Sequence, residues 1–131
     1  MKRAIGIGGI FFKSENPKEL AAWYQKHLGI NIESWGGAVI KWPEMAKENP
    51  GAYTVWNAFK ADTDYFSPST NEFMVNFVVA DLDALLPVLQ AEGVELIGEP
   101  MNDANFGKFA WIIDPEGRKV ELWEPPKDKI K

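Results

Sequence analysis

Apolar and polar positions change period several times along this chain, and each change marks an element. Residues 5–12 are apolar and glycine-rich and read as a buried strand. Asn16-Pro17-Lys18-Glu19 then opens a helix: Asn caps, Pro takes the first helical position, and Glu follows three residues after the cap. Leu20, Trp23, Tyr24, His27 and Leu28 recur at helical spacing as far as Gly29, placed to end the helix. Short strands are predicted over residues 31–35 and 37–42, then a loop over 43–51 marked by Pro43 and Gly51, then a strand over 52–59. Residues 61–71, with Asp62, Asp64, Ser67, Pro68 and Ser69, are polar and turn-rich and read as a linker.

After the linker the order returns. Residues 73–79 read as a strand, Asp81 caps a helix to about residue 92, and Gly93 ends it, with Pro87 inside. Strands follow near 94–97, at 108–113 and at 119–123. The stretches from Asn16 to Gly29 and from Asp81 to Gly93 are nearly equal in length. The chain is therefore expected to be one α+β domain, 1–131, built from two βαβββ modules, about 4–60 and 72–125. These would form a curved eight-stranded mixed sheet around a cleft, with the helices outside. The alternative is an α+β domain whose halves match by chance.

The last hairpin carries the sharpest pattern. Asp114-Pro115-Glu116-Gly117 has Pro at the second position and Gly at the fourth, as a type I turn requires. The strand beyond it places Glu121 between Val120 and Leu122, so alternation sets Glu121 on the opposite face with Lys119 and Trp123.

Asn16-Pro17 opening a helix, Trp23-Tyr24 and Leu28-Gly29 closing it, and Asp114-Pro115-Glu116-Gly117 followed by Glu121-Leu122 resemble the vicinal oxygen chelate superfamily. That group includes glyoxalase I, extradiol dioxygenases and bleomycin-resistance proteins. The resemblance covers essentially the whole chain and implies paired modules wrapping a cleft, often a divalent metal in it, and a homodimer. The positions where the family's metal ligands fall are Gly9, Trp56, Met74 and Glu121. Glycine has no side chain, thioethers suit soft ions, and one carboxylate cannot supply the ligands that zinc, magnesium or calcium require. No cofactor is expected, and a divalent metal is disfavoured by this donor set.

His27, the only histidine, sits near a helix end and reads as a structural residue there, with metal ligand or general base as the alternative. Asp62 and Asp64 lack the Gly and distal Glu of a calcium loop.

Alternation leaves either Phe109 and Trp111 or Ala110 and Ile112 facing inward beside Glu121, and the resemblance favours the aromatic pair. The expected ligand-binding set is then Phe11, Trp56, Met74, Asn76, Phe109, Trp111, Glu121 and Trp123. Apolar walls with a few convergent polar groups suit a small molecule, and the aromatics suit a flat or cationic one. Glu121 itself reads as a ligand-pairing anion, as a general base and so a candidate catalytic residue, or as a structural acid.

Composition narrows the classes. There are no cysteines, which excludes thiolate metal sites and thiol nucleophiles. The net charge of −5, with basic residues grouped only at Lys127, Lys129 and Lys131, disfavours nucleic acid. Glycines at 6, 8 and 9 interrupt any signal-peptide core and no run reaches membrane-spanning length, so a cytoplasmic protein is expected. The expected function is a metal-independent small-molecule binder of the bleomycin-resistance kind. The alternatives are a glyoxalase-like lyase, isomerase or dioxygenase with a non-standard metal site, a metal-free Glu121 base, and a non-catalytic interaction module.

Overall fold

Asparagine and aspartate caps set the two longest helices. The computed structural model describes residues 10–126. Helix α1 spans Pro17–Leu28; the Asn16 side chain accepts from the Glu19 N–H, and Gly29 closes it in the left-handed region at φ 68°. Helix α2 spans Trp42–Glu48, and strand β1 spans Val75–Val78. Helix α3, Leu82–Ala91, is capped by Asp81 accepting from Ala84 N–H at 3.1 Å and continues through Pro87. Strands β2, Met101–Asp103, β3, Gly107–Ile113, and β4, Lys119–Glu124, complete the order.

The four strands form one mixed sheet in the order β1-β4-β3-β2. β1 runs parallel to β4, and the β4–β3 and β3–β2 pairs are antiparallel. One face carries Ala110, Ile112, Val120 and Leu122, which bury against Leu20 and Tyr24 of α1 and Leu82 and Leu89 of α3. Each fully buried aliphatic here contributes about 1.5–3 kcal/mol relative to exposure. The opposite face carries Trp111, Glu121 and Trp123.

The expected eight-stranded curved sheet built from two βαβββ modules is corrected by this topology. Among the described residues there is one four-stranded sheet with three helices, and the first half contributes no strand. Of the strand expected over 5–12, residues 5–9 lie outside the described residues and 10–12 are not in a strand. Residues 31–42 close on themselves through a single Ile32–Ala38 bridge. The loop expected from Pro43 is instead the start of α2, because proline is as favourable in a first helical turn as in a loop. Residues 53–60 are all exposed and join no sheet. Their apolar pattern suits a strand, but a strand exists only if a distant partner pairs with it, and local pattern does not specify that partner.

The Asp114–Gly117 turn joins β3 to β4 and also holds the N-terminal segment. Gly117, at φ 82°, donates to the Asp114 carbonyl at 3.1 Å. Buried Asp114 accepts from the Glu116 and Arg118 N–H groups and from the Tyr24 hydroxyl at 3.0 Å, tying the turn to α1. Burial first, then the Asp114 carboxylate, pushes the Tyr24 phenol well above its ordinary pKa. The Glu116 carboxylate accepts from the Ser14 hydroxyl at 2.6 Å and from the N–H groups of Glu15 and Asn16. Arg118 donates to the Lys13 carbonyl at 2.5 Å and lies over the Phe12 ring. The turn is thus a clasp on the segment entering α1.

Candidate functional site

Glu121 occupies the middle of β4 and has a register partner on each side, Asn76 of β1 and Trp111 of β3. Directly opposed residues share a sheet face, so pairing alone brings all three side chains together. Asn76 Nδ2 donates to Glu121 Oε1 at 2.6 Å, and Trp111 Nε1 donates to Oε2 at 2.7 Å. A third donor comes from outside the sheet: the Tyr65 hydroxyl reaches Oε2 at 2.5 Å. Glu121 is only 7% exposed, and three donors offset the cost of burying it.

Tyr65 and Lys119 complete the cluster. Burial first, then the hydrogen bond to Glu121, pushes the Tyr65 phenol well above its ordinary pKa. The Lys119 ammonium donates to the Tyr65 carbonyl at 2.7 Å and lies 5.2 Å and 5.5 Å from the Tyr65 and Trp111 ring centres. Burial lowers its pKa, against the opposing pull of the Glu121 and Asp64 carboxylates.

Above this floor lies a cavity of about 1260 Å³, walled by residues 53–61, 63, 65–67 and 69–76 together with side chains of the sheet. Trp123 anchors its aromatic part. Its indole N–H donates to the Phe106 carbonyl at 2.7 Å; Phe109 stacks with it at 6.0 Å and 11°, and Tyr53 meets it edge-on at 5.0 Å. Phe59 stacks on Tyr65 at 5.4 Å.

Of the expected ligand-binding residues, Trp56, Met74, Asn76, Phe109, Glu121 and Trp123 line this cavity. Trp111 sits beneath it, bonded to Glu121. Phe11 is 95% exposed and is not part of the wall; Ile10 is. Gly9 lies outside the described residues. Ala110 and Ile112 point into the core, so the aromatic alternative on β3 is the one that faces Glu121. His27 is on the helical side, 2.9 Å from Glu92 and against Trp23, tying α1 to the end of α3. Among the described residues no three His, Asp or Glu side chains gather as a metal would need.

No family model matches the chain, and no curated protein matches it. A crystal structure of a protein of unknown function from Agrobacterium tumefaciens str. C58 is similar to it at 21% identity with a TM-score of 0.50. That similarity covers 92% of this chain and 98% of the other. At that identity the likeness bears on fold alone. Among the described residues no helix is long and apolar enough to cross a membrane.

Sequence reasoning missed Tyr65, Tyr53, Phe59 and Phe106 as site residues. For Tyr65 a signal existed: Tyr65-Phe66 is an apolar pair inside an otherwise polar linker, and both residues are partly buried.

Proposed function

We propose that this chain is a small-molecule-binding protein of the glyoxalase and bleomycin-resistance type that takes a flat aromatic compound in the cavity above Glu121. The observation that carries the reading is a cavity of about 1260 Å³ lined by Trp123, Phe109, Tyr53 and Phe59 beside one buried carboxylate that accepts three hydrogen bonds. Stacking on such walls supplies affinity, and the few polar groups orient the ligand.

Both Glu121 oxygens already accept hydrogen bonds, which supports a positioning role for it over proton abstraction or metal ligation. Our reading accordingly assigns the cleft no metal or other cofactor. It sets the protein in the cytoplasm as a homodimer; the exposed Trp35, Val39 and Trp42, close together along the chain, support a partner copy, since such side chains gain from being covered.

A thermal-shift screen of flat aromatic compounds, with and without divalent ions, tests the reading. Ligands that bind the folded state raise Tm by mass action, and the rise should be independent of metal. A large metal-dependent stabilisation that Glu121→Ala abolishes would overturn it.

A further inference from the structure

We propose that the cavity selects a flat heteroaromatic compound bearing an N–H beside a hydrogen-bond acceptor, read by the Asn76 carboxamide. This deepens the binding function above and rests on it.

Glu121 is already engaged by its neighbours. Its oxygens accept hydrogen bonds from the Tyr65 hydroxyl, the Trp111 indole N–H and one N–H of Asn76. Three of the roughly four acceptor sites of Glu121 are thus taken, and it fixes its neighbours. With Nδ2 held 2.6 Å from Oε1, the Asn76 amide has one orientation. Asn76 is exposed and lines the cavity, and among the described residues no protein donor reaches its Oδ1. Among the described residues no protein acceptor takes its second N–H. An acceptor and one N–H thus remain on one planar group. That pair is complementary to an edge with a donor beside an acceptor, the pattern by which Asn reads adenine. Holding the amide in advance lowers the entropy cost of the match.

The walls set the second criterion: Tyr53, Phe59, Phe109 and Trp123 line the cavity and supply aromatic surface for a flat ring.

Tryptophan fluorescence titration of the full chain with carbostyril, N-methylcarbostyril and quinoline tests the inference. Carbostyril offers N–H beside C=O on a neutral bicyclic ring; methylation blocks the donor, and quinoline has only an acceptor. Carbostyril should bind about tenfold or more tightly than either, as loss of one paired buried hydrogen bond implies. Asn76→Ala should reduce that preference to about twofold or less, while Tyr53→Ala should weaken all three alike. Equal binding of the three compounds, or a preference that survives in Asn76→Ala, overturns the donor-edge inference and leaves the aromatic-cavity function standing. Binding of none of them overturns both. Should Asn76→Ala lose its native circular dichroism, the wild-type ranking alone decides.

Discussion

Trp111 and Glu121 stand directly opposite each other on β3 and β4, and the indole N–H donates to the carboxylate at 2.7 Å. The pair makes a tryptophan part of a polar network and not simply a wall. Trp111→Phe keeps the ring and removes the donor, so it should destabilise the protein by roughly 1.5–3 kcal/mol, the range for a hydrogen bond to a charged group. Urea unfolding monitored by circular dichroism checks this. A change within about 0.5 kcal/mol, typical of neutral surface substitutions, would mean that Tyr65 and Asn76 suffice for Glu121.

Alkaline stability should depend on two phenols. Tyr24 and Tyr65 both have pKa values raised above the ordinary 10.0, chiefly by burial and then by carboxylate neighbours. A raised pKa means the folded state keeps a proton that the unfolded state has lost. The contribution is complete below pH 10 and is lost as pH rises beyond it. Replacing both with Phe should flatten the fall in stability above pH 10, as measured by denaturant midpoints across the alkaline range. An unchanged slope would contradict the roles of Asp114 and Glu121 as their partners.

At acid pH the clasp is the sensitive part. The Ser14 hydroxyl, more than its other donors, holds the Glu116 carboxyl below the ordinary 4.5, against some desolvation. A lowered carboxyl pKa gives stability that is present above 4.5 and lost as pH falls through the folded value. Amide exchange at Glu15 and Asn16, whose N–H groups bond Glu116, should therefore accelerate relative to the sheet as pH falls. Glu116→Gln should show the weakened protection already at neutral pH.

Gly107 tests the packing of the chain end against the sheet. It is buried at φ 96°, and a Cβ there would run into the Glu124 carbonyl oxygen. Gly107→Ala combines a disfavoured backbone with a collision against main chain that cannot rotate away, and should cost roughly 2–4 kcal/mol. Gly98→Ala, at φ 66° with open space around it, should cost less. Comparison of the two unfolding midpoints decides the matter.

What could be read from the sequence was what depends on neighbours along the chain. Asn16, Gly29, Asp81 and Gly93 delimited α1 and α3 because caps act within a few residues. Alternation placed Glu121 with Trp123, and the turn at Asp114 was correctly formed. What failed depends on distant partners. Residues 52–59 have the composition of a strand and pair with nothing in the described chain. Tyr65 reaches Glu121 across 56 residues, which no local pattern encodes. Pro43 showed the opposite weakness, since one residue type serves both a loop and a first helical turn.

The sheet face bearing Glu121 should bind a flat aromatic compound in the cavity over it. Titrating carbostyril while following backbone amide and indole N–H resonances tests this most directly. Saturable shifts should concentrate at Asn76, Tyr65 and the Trp123 indole, leaving His27 and Leu89 on the helical side unmoved. Absence of saturable shifts, or shifts centred between α1 and α3, would contradict it.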